Sequence, residues 1–334
     1  MIPTLRDVAK LANISIMTVS RAINHSENVS LETRKKVQKI IEELDYRPHQ
    51  MAVGLRTKQS RVIGMVISDI SNPFFAAVAR GIQDACKKSG YNVLLCNTDG
   101  KSENEDGYIG ILKEYYVDGV ILCSVRRRIG EELLKSFKGV VFINRKPENI
   151  RGDAVLNNNF KGSYMAIRYL VEKGHRKIAV INDSQLYSTG RERFRGVMRA
   201  FKDFRIKPPK KYLKFTDSST VGGYSAAQEI LNLEKLPSAI FSCNNFTALG
   251  LIRAIKQQQV KIPSDISVIG FDETDWSKIN DPPLTTVKQP TYEMGKVAAE
   301  LLISRLTSPK PPGNYIEKRL EPTLIERASV KFLN

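Results

Sequence analysis

Cysteine, histidine and tryptophan are scarce in this chain of 334 residues, which contains 4 Cys, 3 His and 1 Trp. The cysteines form no CxxC pair and each lies in or beside an apolar run, so we expect buried free thiols and a reducing compartment. His25, His49 and His175 are far apart in sequence, and there is no G-x-G-x-x-G or Walker-type loop. These shortages argue against a metal site, a bound cofactor and a Ser-His-Asp enzyme.

Long hydrophobic runs are also missing. No window approaches the ~18 uninterrupted apolar residues of a membrane span. Residues 1–7, MIPTLRD, contain no apolar signal core. We therefore expect a cytoplasmic protein.

Acidic residues are outnumbered, with 35 Asp and Glu against 52 Lys and Arg and a net charge of +17. An excess of this size favours an anionic partner, but it does not choose among nucleic acid, an acidic membrane and a phosphorylated ligand. Residues 1–61 carry a net +5 and residues 62–334 a net +12, so the N-terminal segment is the more basic per residue.

Three short helices are predicted in the first 47 residues, each after a possible capping side chain: Thr4 before 5–12, Ser15 before 16–24 and Ser30 before about 31–44. Asn13, between the first two, tolerates left-handed backbone geometry. The apolar positions that would pack these two helices together are Val8, Ala9, Ile14, Val19 and Ile23. A tight turn between short helices at a basic chain end is typical of a helix-turn-helix. A generic helical hairpin has the same spacing.

From residue 62 the pattern changes to short β-branched runs that alternate with amphipathic stretches. The predicted strands are 62–67, 93–96, 119–122, 140–143, 178–181, 239–241 and 268–271, with helices such as 76–89 and 164–173 between them. Continuous apolar strands between helices predict parallel sheets covered on both faces. About 270 residues exceed what one such sheet needs, so we expect two α/β lobes.

Several strings of the sequence stand out. In the head they are LRDVAKLA (5–12), TVSRAIN (18–24) and YRP (46–48), followed by Ala52 and Leu55. Later come SNPFF (71–75), GHRKI (174–178), GFD (270–272), PLTTV (283–287) and LIERAS (324–329). In this order, over essentially the whole chain, they resemble the LacI/GalR family of bacterial repressors. Asn13 is a departure, since the family often has Gly there.

The resemblance implies an all-α helix-turn-helix head in residues 1–47, a hinge helix and linker in 48–61, and an α/β core in 62–334. The core would consist of two doubly wound parallel-sheet lobes of periplasmic-binding-protein type, joined by three crossovers. We expect lobe one at about 62–160 and 290–320, and lobe two at about 161–289 and 321–334.

The second helix of the head would enter the major groove of DNA. Ile16, Met17 and Arg21 match positions where the family reads bases. Arg21 can donate two hydrogen bonds to guanine, whereas Ile16 and Met17 offer only apolar contact. The positions that match phosphate contacts are Ser15, Thr18, Ser20 and Asn24. For Thr18 and Ser20, ordinary capping or a solvated helix face is the alternative.

Residues 49–55 resemble the hinge helix of the family. Gly54 lowers helix stability by about 1 kcal/mol, and so short a helix is marginal in water. We therefore expect it to form only beside its twin in a dimer on DNA. Ala52 and Leu55 would contact the DNA there, Leu55 as a wedge in the minor groove. A role for Leu55 in capping the core is the alternative.

The resemblance places a ligand between the lobes, at the carboxyl ends of the strands. The expected contact positions are Asn72, Phe74, Phe75, Asn144, Arg193, Ser218, Asn244 and Asp272. Phe74 and Phe75 can form an aromatic wall, although lobe packing or dimer contact accounts for them as well. An inter-lobe salt bridge or a turn cap is the alternative for Arg193, Asn244 and Asp272. We expect His175 to be structural.

Three positions of the expected cleft depart from relatives. Asn144 stands where many have Asp, Asn245 follows Asn244 where Asp is common, and Ser218 replaces an aromatic of some relatives. Fewer carboxylates, together with the nearby Arg145, favour an anionic effector such as a sugar phosphate or sugar acid over a neutral sugar.

The sequence thus predicts a homodimeric, sequence-specific DNA-binding regulator, a repressor, that acts on nucleoid DNA and binds a pseudo-palindromic operator. Its effector would be a sugar-like small molecule. No apolar heptads follow the last motif, which favours a dimer over a tetramer. Ligand would shift the populations of lobe angles and form or melt the hinge helices, with release or tightening of DNA as the outcome.

Three alternatives stay open. One is control of the same regulator by a protein partner. A pure sugar-binding protein is disfavoured by the missing signal core and the basic head. A sugar-metabolising enzyme is disfavoured because no acid, base and nucleophile set converges in the sequence.

Overall fold

A computed structural model describes residues 3–23, 29–46, 59–308 and 313–333, apart from the side chains of residues 133 and 134. The chain divides into two compact units, residues 1–60 and 61–334. We call them the head and the core.

The head contains three helices, α1 (Leu5–Ala12), α2 (Ile16–Ile23) and α3 (Leu31–Glu43). All three predicted helices are confirmed over the residues that the structure describes. Thr4 Oγ1 donates to Asp7 Oδ2 at 2.7 Å, and Ser15 Oγ accepts from the Thr18 backbone N–H at 3.0 Å. Asn13 ends α1 in the left-handed region, with φ 53° and ψ 45°. The caps and the turn were therefore correctly predicted from local sequence chemistry.

The head packs around a small apolar cluster. Val8 and Val19 are fully buried and Ala9 is nearly so, while Ile14 and Ile23 are partly buried against them. Val37 and Ile40 of α3 complete the cluster. The third helix thus fixes the angle between α1 and α2 by covering their shared apolar face.

The core contains two six-stranded sheets, with strand orders β11-β5-β4-β3-β1-β2 and β12-β10-β9-β8-β6-β7. The strands are β1 (Val62–Ile67), β2 (Asn92–Asn97), β3 (Gly119–Leu122), β4 (Val140–Ile143), β5 (Asp153–Asn157), β6 (Ile178–Asn182), β7 (Leu213–Phe215), β8 (Ala239–Ser242), β9 (Ser267–Phe271), β10 (Thr285–Lys288), β11 (Glu317–Leu320) and β12 (Thr323–Ile325). All pairings are parallel except that of β12 with β10.

Helices cover both faces of each sheet. They are α4 (Pro73–Lys88), α5 (Ser102–Glu114), α6 (Glu132–Lys135), α7 (Asn159–Glu172), α8 (Ser188–Asp203), α9 (Thr220–Leu231), α10 (Asn245–Gln257), α11 (Asp275–Ile279) and α12 (Thr291–Thr307). Within β1, Ile63 and Met65 belong to one hydrophobic cluster and Val66 to the cluster on the opposite face. The predicted architecture of two doubly wound parallel-sheet lobes is confirmed.

The chain returns to the first lobe near its end. Helix α12 packs against α4 so closely that a Cβ on Gly295 would lie 2.0 Å from the Val78 carbonyl oxygen, and one on Gly81 would lie 2.1 Å from that of Tyr292. Strand β11 then joins the first sheet and β12 the second. The chain therefore passes between the lobes after β5, after β10 and between β11 and β12. The residue boundaries of head, hinge and lobes stay predictions.

Five strands were not predicted. β5, β7, β10, β11 and β12 are short, and their sequences DAVLN, LKF, TTVK, EKRL and TLI contain at most three apolar residues each. The two predicted helices also begin earlier than expected, at Pro73 and Asn159. In both, a preceding asparagine, Asn72 or Asn158, accepts a hydrogen bond from the first turn.

Candidate functional site

Helix α2 exposes an apolar and cationic face. Ile16 is 44% and Met17 64% exposed, and Arg21 is exposed on the same short helix. The opposite face, with Val19 and Ala22, is buried. Two large apolar side chains left in solvent beside an arginine form a surface suited to contact with a partner.

The remaining residues expected to contact DNA fall into two groups. Ser15 and Thr18 lie at the start of α2, where their hydroxyl oxygens are 2.9 Å apart, so capping is at least one of their roles. Ser20 lies in the middle of the same helix. Asn24, Ala52, Leu55 and the predicted hinge helix lie outside the described residues.

In the core, the carboxyl ends of the two sheets face each other. Asn72, which follows β1 closely, accepts a hydrogen bond from Asn245 Nδ2 of the second lobe at 2.9 Å. The Arg145 guanidinium, just after β4, lies 3.8 Å from the centre of the Tyr187 ring of the second lobe. These contacts across the gap define a cleft between the lobes.

Arg193 is the centre of the buried network in the second lobe. Its Nε donates to Asn159 Oδ1 at 2.9 Å and its Nη1 to Asp183 Oδ2 at 2.8 Å. The guanidinium also lies over the Phe271 ring, 3.9 Å from its centre. Since Arg193 is only 4% exposed, the structure shows it first as a brace. Its contact with an effector stays a prediction.

Asp272 directly follows β9 with a left-handed backbone, φ 73°, and is 8% exposed. Its Oδ1 accepts a hydrogen bond from Gln289 Nε2. Burial raises the pKa of both Asp272 and Asp183, and the Arg193 guanidinium opposes that rise. The arginine therefore helps to keep two buried carboxylates charged.

The predicted asparagines divide between capping and the cleft. Asn244 caps α10 by accepting from the backbone N–H of Phe246 at 2.8 Å, which confirms the turn-cap alternative for it. The neighbouring Asn245 makes the contact between the lobes. Asn144 has a left-handed backbone, φ 61°, and is 7% exposed.

Phe74 and Phe75 lie edge to face with ring centres 5.0 Å apart. They are 8% and 4% exposed and both belong to the hydrophobic core of the first lobe. Packing therefore accounts for most of the surface of both rings, whereas the sequence assigned such a role to one of them.

Ser218 has a left-handed backbone, φ 69°, and interacts with the Asp183 carboxyl group, whose pKa it helps to lower. His175 is fully buried between Ser238 Oγ and the Lys331 carbonyl oxygen, at 2.9 and 3.1 Å from its ring nitrogens. The structural role expected of His175 is confirmed.

Five residues of the cleft were not predicted as site residues: Asn159, Asn182, Asp183, Tyr187 and Gln289. Asp183 had a usable signal, because it directly follows an apolar strand, as Asp272 does. Asn159 and Gln289 had none, since they reach the site from a helix and a strand that the sequence pattern missed.

A cavity of about 400 Å³ opens at the rim of the cleft, with charged residues of both lobes in its wall. Among the described residues, no group of three His, Cys, Asp or Glu side chains is arranged to hold a metal ion. Within the same residues, no helix has the length and apolarity that crossing a membrane requires.

Known proteins resemble both units. Residues 4–49 match the bacterial regulatory proteins of the lacI family, and residues 167–330 match the periplasmic binding protein-like domain. The chain is 35% identical over 334 residues to the HTH-type transcriptional repressor PurR of Vibrio atlanticus, with 99% of each chain covered.

Solved structures agree. The lac repressor dimer bound to operator and the anti-inducer ONPF has a TM-score of 0.85 and 26% identity, covering 99% of this chain and 100% of that one. A LacI family transcriptional regulator from Enterococcus faecium with bound ribose has a TM-score of 0.73 and 30% identity, covering 82% and 100%. Such relatives are transcriptional repressors and not enzymes. The chain belongs to the LacI family and is a DNA-binding transcriptional regulator.

Proposed function

We propose that this regulator is a cytoplasmic, homodimeric repressor that reads a pseudo-palindromic operator with α2 and responds to a sugar-like small molecule between its lobes. The observation that carries the DNA-reading part is the exposed face of α2. Ile16, Met17 and Arg21 project from a helix whose opposite side is anchored in the head. Such a helix can enter a major groove without disturbing the fold that holds it.

The three side chains of this face would read different features of DNA. Arg21 donates two hydrogen bonds to a guanine edge, and Ile16 and Met17 contact thymine methyl groups. The hydroxyl and amide groups of Ser15, Thr18, Ser20 and Asn24 bind phosphates and set the register. Ala52 and Leu55 contact the minor groove at the operator centre, where Leu55 kinks the duplex.

The regulatory part of the proposal follows from the cleft. Asn72, Arg145, Tyr187 and Asn245 already join the two lobes, so a ligand between them changes the relative stability of open and closed arrangements. The Enterococcus faecium relative binds ribose, which supports a sugar-like effector here. We propose that the lobe angle sets the separation of the two hinge segments in the dimer and so sets operator affinity.

Substitution of Arg21 tests the DNA-reading face. On an operator selected from random duplexes, Arg21→Ala should lower affinity by about 1–3 kcal/mol, because a bidentate base contact is lost. On random DNA the loss should be much smaller. Quantitative gel-shift titration of both duplexes measures the difference.

Lys39→Ala is the matched control, because Lys39 is an exposed cation on α3. It should leave the ratio of operator affinity to random-DNA affinity unchanged. Equal losses on both duplexes for Arg21→Ala would instead identify Arg21 as a phosphate contact.

A further inference from the structure

Buried oxygen atoms without hydrogen-bond partners gather where the strands of both lobes end. Among the described residues, the amide and carboxylate oxygens of this kind that end or directly follow β4, β5, β6 and β10 are Asn144 Oδ1, Asn157 Oδ1, Asn182 Oδ1, Asp183 Oδ1 and Gln289 Oε1. None of the five side chains is more than 7% exposed. Only the Ser218 hydroxyl lies near one of them, at the Asp183 carboxyl group.

The orientation of two of these amides is fixed by their other end. Gln289 Nε2 donates to Asp272, which makes Oε1 the free end. Asn182 Nδ2 donates to the carbonyl oxygens of Asp183 and Gly190 at 2.9 and 3.1 Å, which leaves its Oδ1 as an acceptor. Their assignment as acceptors therefore follows from the hydrogen-bond network.

Unpartnered donors are fewer at the same place. They are Arg145 Nε and Asn157 Nδ2. A buried acceptor without a donor is destabilising by about 1–3 kcal/mol. A ligand rich in hydroxyl donors would satisfy these oxygens, whereas a ligand that presents mostly anionic oxygens would add acceptors to acceptors.

The charges of the cleft are already balanced. Two arginines, Arg145 and Arg193, lie close enough to Asp183 to lower its pKa, and Asp272 lies close enough to raise it. Two cations thus face two carboxylates. Nε and Nη1 of Arg193 are engaged within the protein, and the Arg145 guanidinium stacks on Tyr187 and donates to Ser68 Oγ at 3.1 Å.

The rim of the cleft is balanced in the same way. Arg191 pairs with Glu148 at 2.6 Å, Lys146 with Glu317 at 3.0 Å, and Arg319 with Glu192 at 2.9 Å. The other cation in the wall of the rim cavity, Arg195, is exposed to solvent. A buried anion would therefore find no desolvated positive charge left to neutralise it.

We propose that the effector is a neutral polyhydroxylated molecule whose hydroxyl groups donate to these strand-end oxygens, and that Asp183 selects it over an anionic analogue of the same shape. This inference rests on the proposed function and names the ligand class of its cleft. It replaces the anionic effector favoured by the sequence, because the charge of Arg145 is matched by a carboxylate, Asp183, that the sequence analysis overlooked.

The test compares matched probes on the full-length protein. Isothermal titration uses D-ribose against ribose 5-phosphate, and D-glucose against gluconate and glucose 6-phosphate. At least one neutral sugar should bind roughly tenfold or more tightly than its own anions, since a like charge beside buried carboxylates is strongly unfavourable. An anion that binds more tightly than its neutral parent overturns the proposal, and so does the absence of binding by both neutral sugars.

A variant then tests the role of Asp183. Asp183→Asn keeps the shape but gives the cleft one net positive charge, so the preference for the neutral sugar should fall by about tenfold. Asp217→Asn, which changes an exposed aspartate of the same lobe, should leave the preference unchanged. If Asp183→Asn does not fold, the wild-type comparison still decides the ligand class. An unchanged preference in a folded Asp183→Asn variant overturns the assignment of Asp183.

Operator titration separates this inference from the proposed function. If an anionic probe binds and changes operator affinity, the ligand class is wrong and the regulatory function stands. If a neutral sugar binds but leaves operator affinity unchanged, the ligand class is right and effector control fails. If the protein does not bind DNA, the proposed function fails independently of the ligand.

Discussion

The head and the cleft satisfy their polar groups in opposite ways. In the head, the Ser15 hydroxyl caps a helix through Thr18, three residues away. In the cleft, Asn245 reaches Asn72 across 173 residues of chain. Short-range bonds leave one face of α2 free for a partner, while long-range bonds use the charged groups of the cleft to stabilise the cleft itself.

This difference has a functional consequence. A surface whose cations remain exposed binds an anionic polymer by releasing counterions, so its affinity depends on salt. A pocket whose buried cations are already paired gains little from a charged ligand and recognises neutral hydrogen-bonding groups. The two regions of one chain should therefore respond differently to ionic strength and to substitution.

Salt should produce the largest effect. Each phosphate that the head neutralises lowers log K by about 0.9 per tenfold rise in salt, so six contacts give a roughly thousandfold loss of DNA affinity between 50 and 200 mM salt. Binding of a neutral sugar in the cleft should change little over the same range. Fluorescence anisotropy for DNA and calorimetry for the sugar measure the two slopes.

A DNA isotherm that does not move between these salt concentrations would contradict the assignment of the head as a nucleic-acid surface. A steep slope for the sugar would show that the cleft holds an uncompensated charge, and the contrast between the two regions would then fail.

Loss of Arg193 should be the most damaging single substitution in the comparison. Arg193→Met removes the cation that pairs with Asp183 at 2.8 Å, where both side chains are 5% exposed. An uncompensated buried carboxylate is destabilising by about 3–5 kcal/mol. Urea unfolding of the core should show this decrease in the free energy of unfolding.

Arg21→Met is the matched change in the head. Because Arg21 is exposed, its effect on the free energy of unfolding should stay within about 0.5 kcal/mol. A core that is equally stable with Arg193→Met would show that Arg193 is free to serve a ligand and is not a brace.

The contrast between local and distant partners also explains what could be predicted from the sequence. The three head helices and the turn at Asn13 were predicted correctly, because each depends on residues within a few positions. The seven apolar strands were predicted correctly because each is one continuous run. Strands β5 and β10 were missed because they are short, and the sheet that surrounds them supplies their burial.

The cleft was harder to predict for the same physical reason. The fold and the positions after β4 and β9 followed from the family resemblance, which placed Asn144 and Asp272. The partners of Arg193 depend on which strands are neighbours in the second sheet. Asn159 and Cys243, which both accept hydrogen bonds from Arg193, lie 34 and 50 residues from it in sequence. No local pattern carries that information.

Asp272 offers a smaller and more selective effect. Asp272→Asn keeps a residue type that tolerates the left-handed backbone, but removes the charge that would receive ligand hydroxyl groups. The effector should lose about 1.5–3 kcal/mol of binding free energy, while operator affinity without effector stays unchanged. Operator titrations with and without the effector identified by calorimetry provide the measurement.

Asp275→Asn is the control, since the Asp275 side chain is 96% exposed three residues further along the same lobe. It should change neither quantity. An intact effector response in Asp272→Asn would remove this residue from the ligand site, and a large drop in melting temperature would assign it to bracing the lobes.

The smallest expected effect separates two roles of one residue in the head. Ser15 and Ser30 each cap a helix by accepting a backbone hydrogen bond, from Thr18 at 3.0 Å and Thr33 at 3.2 Å. Substitution of either by alanine should therefore destabilise the head by about 1 kcal/mol. Only Ser15 lies at the end of α2 that is proposed to face phosphates, so only Ser15→Ala should also lower operator affinity, by a similar factor on random DNA. Thermal unfolding and gel-shift titration of both variants give the comparison. Equal DNA affinities for Ser15→Ala and Ser30→Ala would show that Ser15 acts as a cap alone, and that the phosphate contacts of the head lie elsewhere on α2.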